Sequence, residues 1–147
     1  VKPHILERFG SESSYFNTFG GNTVSAAVGL AVLEVIENEN LLPSIAKAGK
    51  AIVEGISVLA SRYPLLSNVR GVGLYASVDI VDAEGNPDAA MALAIVNGLR
   101  DEGILIGAIG PHANVLKIRP PLVFTEEHSG ILVEGLAKVL EKVQPQV

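Results

Sequence analysis

The segment 23–38 constrains the fold most strongly, because apolar residues cover nearly every side of the helix that it predicts. One stripe at intervals of three and four residues contains Val24, Ala27, Val28, Ala31, Val35 and Ile36. Leu30, Val32 and Leu33 occupy much of the remaining surface. Such a helix is stable only when it is buried on more than one side. Its apolar run is interrupted before the ~18 residues of a membrane span, so we expect no membrane insertion.

Three further segments, 42–62, 88–102 and 125–143, also repeat apolar residues at helical spacing. Thr125 is the expected N-cap of the last of these helices, and Gly103 is the expected residue just beyond the end of the middle one. The side chains that we expect to face inward from the middle helix are Ala89, Leu93, Val96 and Leu99.

Strands are predicted between these helices. Residues 72–80 alternate apolar with polar side chains, and shorter apolar runs follow at 104–109 and 115–119. The last two are joined by the run G-P-H-A-N and are expected to pair in antiparallel fashion. The order is therefore helix, helix, strand, helix, strand, strand, helix. It predicts an α/β protein of the α+β type, a two-layer sandwich of helices on a small, mainly antiparallel sheet.

Composition excludes several classes of function. The net charge is −5 and the Lys and Arg residues are scattered, so we expect no nucleic-acid partner. The absence of cysteine excludes disulfides and Cys nucleophiles and is compatible with the reducing cytoplasm, which is the predicted compartment. The three histidines are far apart and lack metal-ligand spacing, so no metal site is expected. The chain begins at Val1, and we expect it to be part of a longer protein.

The run Thr18, Phe19, Gly20 and Gly21 stands directly before the apolar helix. Glycines at such a position let backbone N–H groups approach a ligand, and the first turn of a helix favours an anion such as phosphate. Thr18 adds a hydroxyl that could reach the same anion. An ordinary glycine turn that is capped by Asn22 and binds nothing explains the same residues, so both interpretations stay open.

Arg119 ends the run V-L-K-I-R and is followed by two prolines. In an extended strand Lys117 and Arg119 share one face, opposite Leu116 and Ile118. The planar guanidinium of an Arg held at a strand end suits a carboxylate. A solvated surface Arg is the alternative, because most Arg side chains are exposed.

Three runs of the chain resemble the C-terminal part of the class-III aminotransferases, which are pyridoxal 5′-phosphate enzymes of fold type I. They are YFNTFGGNTVSAAVGLAVLEVIENENLL, NVRGVGLYASVDIV and NVLKIRPPLVFTEEH. The T-F-G-G-N run is a specific marker, although Thr23 stands where the family commonly has proline. The run GPHANVLKIRPPLVF resembles the alanine–glyoxylate branch and its phospho-lyase relatives most closely.

The resemblance implies roles for the residues singled out above. Thr18, with Phe19, Gly20 and Gly21 beside it, would bind the cofactor phosphate held in the neighbouring subunit of a homodimer, and Arg119 would clamp the substrate carboxylate. The resemblance also divides the chain into three parts. Residues 1–22 are the cofactor-loop segment from the end of the large domain, residues 23–40 an interdomain helix, and residues 41–147 the C-terminal small domain.

The implied reaction moves an amino group from an amine or amino acid donor to a 2-oxo acid. A phospho-lyase that acts on an amino-alcohol phosphate is the first alternative, and a non-enzymatic dimerisation or interaction module is the second. None of the six lysines stands in the context of the family's Schiff-base lysine, so we expect this chain alone to be inactive.

Overall fold

The computed structural model describes residues 2–143, and the chain divides into two compact units between Glu39 and Asn40. The first unit contains helix α1 (Pro3–Glu12) and helix α2 (Thr23–Asn38). Helix α2 confirms the predicted bounds, whereas α1 was not predicted. Pro3 at its first position suits a helix start, because proline lacks only an N–H that would be unpaired there.

No residue of α2 is buried, so the burial expected on more than one side is not provided within the described residues. The side chains of Val24, Val28, Leu30 and Leu33 each expose more than half of their surface. The first unit offers only α1 and a connecting segment, which is too little to cover a helix that is apolar on several sides.

The second unit contains three helices and four strands. They are α3 (Leu41–Ala60), β1 (Leu66–Val72), β2 (Tyr75–Ile80), α4 (Ala89–Asp101), β3 (Gly107–Ile109), β4 (Val115–Ile118) and α5 (Glu126–Val143). The sheet order is β1-β2-β4-β3, and all neighbouring strands are antiparallel. Helices α3 and α4 pack on the sheet, and α5 packs on both of these helices. This arrangement confirms the predicted fold class, including the antiparallel pairing of the last two strands.

The core lies between the helices and one face of the sheet. Ala76, Val78 and Ile80 point into it from β2, and Leu116 and Ile118 point into it from β4. From the helices it receives Ile52, Ile56, Ile95, Leu99, Leu136 and Leu140. Full burial of a Leu or Ile side chain contributes about 1.5–3 kcal/mol, so this layer is the main stabilising feature of the second unit.

The prediction of a single strand over residues 72–80 was wrong, because this segment contains the turn of a hairpin. Strand β1 ends at Val72, and β2 begins at Tyr75. Gly73 has a φ of +53° at the first turn position, a conformation that glycine adopts without strain. Strand β1 was not predicted, because a bulge between Ser67 and Arg70 interrupts the alternation of its side chains.

The predicted inward face of α4 was correct only in part. Leu99 is buried and Val96 is partly buried, as predicted. Ala89 is exposed and Leu93 exposes 58% of its surface, and the other buried residues of the helix are Ala92 and Ile95. The sequence is apolar on both sides of this helix, so spacing left its rotation undecided. The predicted end was correct, because Gly103 follows α4 with a φ of +83°. The predicted N-cap of α5 agrees as well, since Thr125 Oγ1 lies 3.4 Å from the backbone nitrogen of His128.

Candidate functional site

Residues 18–21 form a turn that leads into α2, and local hydrogen bonds hold it. Asn17 Oδ1 accepts from the N–H of Phe19 at 3.1 Å, and Asn17 Nδ2 donates to the hydroxyl of Tyr15 at 2.8 Å. Asn22 caps α2 by accepting from the N–H of Ser25 at 3.0 Å. Asn22 therefore caps α2, as the interpretation of an ordinary glycine turn expects. The cap does not cover the exposed turn, so a ligand can still reach it.

The backbone conformation does not require glycine at position 20 or 21, since neither residue has a positive φ. A Cβ atom on Gly20 would lie 3.1 Å from Cγ of Asn17, so that position is tight. A Cβ on Gly21 would meet no atom of the described chain within 4 Å. The missing side chain of Gly21 therefore leaves open space beside the turn.

Thr18 and Phe19 are the two side chains that the turn presents. Phe19 exposes 72% of its surface. The Thr18 hydroxyl is exposed and forms no hydrogen bond with any residue between 2 and 143. The unpaired Thr18 hydroxyl and the open space beside Gly21 can together accommodate an oxyanion such as phosphate.

Arg119 lies in the second unit, directly after β4, and lines a pocket of about 360 Å³. The wall of the pocket is mostly apolar and includes Ile104, Ile106, Phe124 and Leu132. The Arg119 guanidinium forms no hydrogen bond and no ion pair with a residue that the structure describes. It is therefore free to bind an anion at the mouth of an apolar pocket.

Sequence reasoning had placed Lys117 on the same face as Arg119 without assigning it to the site. The structure shows that Lys117 lines the same pocket. The i, i+2 spacing on a strand was the signal that could have identified it. Thr18 and Arg119 themselves lie in different units of the chain.

Several other charged groups of the second unit form ion pairs. Arg70 lies 2.7 Å from Asp79, and Lys142 lies 2.6 Å from Glu102 at the end of α4. The hydrogen bond and the positive charge of Lys142 hold the pKa of Glu102 below its ordinary value. The same hydrogen bond and the negative charge of Glu102 raise the pKa of Lys142. These pairs join elements of the fold and lie outside the Arg119 pocket.

Two searches of the described part of the chain returned nothing. Within residues 2–143, no group of three or more His, Asp or Glu side chains could hold a metal ion. None of the helices in that range combines the length and the apolar character needed to cross a membrane.

Comparison with known proteins gives concordant matches. Residues 2–140 match the family model of the class-III aminotransferases. The chain is 37% identical over 143 residues to ethanolamine-phosphate phospho-lyase homolog 1 of Caenorhabditis elegans. This alignment covers 95% of the chain and 31% of the relative. It is 40% identical over 132 residues to the mitochondrial alanine–glyoxylate aminotransferase 2 homolog 2 of Arabidopsis thaliana, with coverages of 88% and 28%.

A solved structure agrees with these sequence matches. A phospholyase from Arthrobacter in complex with phosphoethanolamine superposes with a TM-score of 0.81 at 41% identity, covering 95% of this chain and 34% of that one. The chain spans about a third of the length of the relatives that it matches. The match to the family model over nearly its whole length, on a fold shared with solved relatives, shows that the chain belongs to the class-III aminotransferase family.

Proposed function

We propose that the chain is the C-terminal part of a pyridoxal-phosphate-dependent aminotransferase that moves an amino group from an amine or amino acid to a 2-oxo acid. The observation that carries this proposal is Arg119, whose guanidinium lies without a described partner beside an apolar pocket. Family membership supports the class of reaction. In this proposal residues 1–22 carry the cofactor loop, residues 23–40 link two domains, and residues 41–147 form the small domain.

The turn that contains Thr18 would hold the phosphate of the cofactor. Its exposed hydroxyl and the open space beside Gly21 fit such a group, and Phe19 and Gly20 complete the turn. When bound, pyridoxal phosphate supplies an aldehyde that accepts the amino group and a ring that withdraws electrons. We propose that the phosphate belongs to the cofactor of the neighbouring subunit in a homodimer, so that this turn contributes to its partner's active site.

Arg119 would orient the 2-oxo acid. Its planar fork can donate two parallel hydrogen bonds to one carboxylate, which fixes the position of the neighbouring carbonyl group. The apolar wall of the pocket would lower the local dielectric around that ion pair and so strengthen it. We propose none of the six lysines of this chain as the lysine that moves the proton. We therefore expect the chain alone to be inactive. The cytoplasm remains our predicted compartment.

A phospho-lyase that removes phosphate and ammonia from an amino-alcohol phosphate is the second candidate. The observation that favours it is the similarity to the Arthrobacter phospholyase and to the Caenorhabditis phospho-lyase homolog. A non-enzymatic interaction module has only the exposed apolar surface of α2 in its favour.

A paired assay of the full-length protein, loaded with pyridoxal phosphate, separates these candidates. Amine and amino acid donors are offered with pyruvate or glyoxylate, and the newly formed amino acid is measured. Phosphate and ammonia release from phosphoethanolamine is measured in parallel. Amino transfer supports the main proposal, and phosphate release without amino transfer identifies the lyase. The absence of both reactions would refute an enzymatic role with these substrates.

A further inference from the structure

We propose that His128 is a positioning residue for the Arg119 pocket and acts through the ring of Phe124. This inference rests on the proposed function, in which Arg119 binds the carboxylate of the 2-oxo acid. His128 is not among the described residues that line the pocket. Its effect passes through the start of α5 and through one aromatic contact.

The first step concerns how α5 begins. Thr125 is the N-cap, and His128 stands at the third position of the helix. The Thr125 N–H donates to Nδ1 of His128 at 3.1 Å, while the His128 N–H donates to Thr125 Oγ1 at 3.4 Å. This reciprocal pair is a capping box in which the imidazole takes the place of the usual Glu or Gln side chain. Because Nδ1 accepts a hydrogen bond, the proton of the neutral ring lies on Nε2.

The second step is the contact between two rings. The capping hydrogen bond restricts the rotation of the imidazole, and Phe124 packs against it. The ring centroids of Phe124 and His128 are 5.2 Å apart, and the ring planes are inclined by 35°. This separation falls within the range of about 4.5–7 Å that is typical of attractive aromatic pairs. Phe124 precedes the N-cap, and an apolar residue at that position commonly packs on the helix and fixes the direction of the incoming chain.

The usual partner for a residue in the position of Phe124 is the fourth residue of the helix, which here forms other contacts. That residue is Ser129, which is buried. Its hydroxyl donates to the carbonyl oxygen of Ala48 in α3 at 3.0 Å and to that of Thr125 at 3.1 Å. A small hydroxyl side chain in this arrangement offers little apolar surface to Phe124. His128 therefore provides the surface on which Phe124 packs.

The third step connects the start of the helix to the pocket. Phe124 is half-buried, packs against the hydrophobic core, and lines the pocket together with Arg119 and Pro120. The Phe124 N–H donates to the carbonyl oxygen of Pro121 at 3.0 Å, so the segment between β4 and α5 is a tight turn. The two prolines restrict the backbone of this segment further. A displaced Phe124 ring therefore changes the wall of the pocket close to Arg119.

Two substitutions separate the ring contact from the cap. His128→Gln keeps a side-chain acceptor that suits a capping box and removes the ring. His128→Phe keeps an aromatic ring and removes the acceptor. If His128 acts through Phe124, the first variant weakens carboxylate binding and the second preserves it. A role in the stability of α5 alone predicts that the second variant is the more damaging one.

The test measures carboxylate binding without turnover. Propionate is titrated calorimetrically into the cofactor-loaded full-length protein. We expect His128→Gln to weaken propionate binding about three- to tenfold, as for the loss of one aromatic contact, and His128→Phe to stay within about twofold of the wild type. His112→Gln is the matched control, because His112 is exposed in the β3–β4 turn and lies outside the described lining of the pocket. In a Phe124→Leu background, His128→Gln should have little further effect, because the two rings act as a pair.

Steady-state amino transfer provides a second measurement. His128→Gln should lower kcat/KM for pyruvate and leave kcat/KM for a plain amine donor nearly unchanged, because only pyruvate presents a carboxylate to Arg119. A general loss of folded protein would lower both values equally.

Four results would overturn the role of His128. They are wild-type propionate affinity in His128→Gln, a larger loss in His128→Phe than in His128→Gln, an undiminished effect of His128→Gln in the Phe124→Leu background, and equal losses of kcat/KM for pyruvate and the amine. A wild-type protein that does not bind propionate would overturn it as well, because Arg119 then holds no carboxylate. The proposed function fails separately, if amino transfer is absent while propionate affinity depends on His128 as expected.

Discussion

The close approach of α3 to the β1–β2 hairpin yields a sharp stability prediction for Gly49→Ala. Gly49 is buried in α3, and a Cβ on it would overlap the carbonyl group of Gly73 and lie 3.1 Å from Gly73 Cα. The obstacle is backbone, so α3 and the turn must separate. Overpacking of this kind costs about 1–3 kcal/mol, and a rigid backbone obstacle places the cost in the upper part of that range.

The same substitution also brings a gain, which a control can measure. Replacing Gly by Ala inside a helix favours folding by up to about 1 kcal/mol. The net effect of Gly49→Ala is therefore a loss of about 1–2 kcal/mol in the free energy of unfolding. Gly130 lies in α5, is exposed, and has no described atom near its Cβ position. Gly130→Ala should therefore show the gain without the clash.

The assay is urea denaturation of the 147-residue chain, followed by far-ultraviolet circular dichroism. The two variants should differ by about 2–3 kcal/mol in the free energy of unfolding, with opposite signs relative to the wild type. Equal stabilisation by both substitutions would refute the contact between α3 and the hairpin turn.

Three further predictions concern the proposed site and the surface charges. Thr18→Ala in the full-length protein should weaken retention of pyridoxal phosphate by about 1.5–3 kcal/mol, measured by equilibrium dialysis, because a hydrogen bond to a charged group is lost. Unchanged retention would remove Thr18 from the site. Arg119→Lys should reduce kcat/KM for carboxylate substrates more than for plain amines, because Lys lacks the bidentate fork, and equal losses would contradict its role. The stability difference between wild type and Glu102→Gln should be present at neutral pH and disappear on acidification. Glu102 has a lowered pKa in the folded state, so its contribution exists above the unfolded pKa and is lost as pH falls through the folded one. A pH series of urea titrations checks this, and a difference that persists at strongly acidic pH would contradict it.

Local signals predicted much of the fold. The bounds of α2 follow from its apolar run and from Asn22, whose side chain caps the first turn. The end of α4 follows from Gly103, which adopts the left-handed conformation that closes many helices. Such features depend on neighbours in sequence, so they can be recognised without the tertiary structure.

The candidate site was predictable only in part. The T-F-G-G-N run and the R-P-P run singled out the residues around Thr18 and Arg119 through the family resemblance. Only the backbone angles show that position 21 does not require glycine, and only the neighbouring atoms show the space beside it. Lys117 joins Arg119 at a pocket whose walls come from β3, β4 and α5 and the segments beside them, which no local pattern could assemble.

The amino-acid sequence by itself determined the type and order of most elements, since hydrophobic period and capping act over a few residues. The tertiary structure decided which side of α4 is buried, where β1 turns into β2, and which cations share a pocket. Each of these depends on contacts between segments that are distant in the chain. Packing against the rest of the core selects one arrangement where the local pattern permits several.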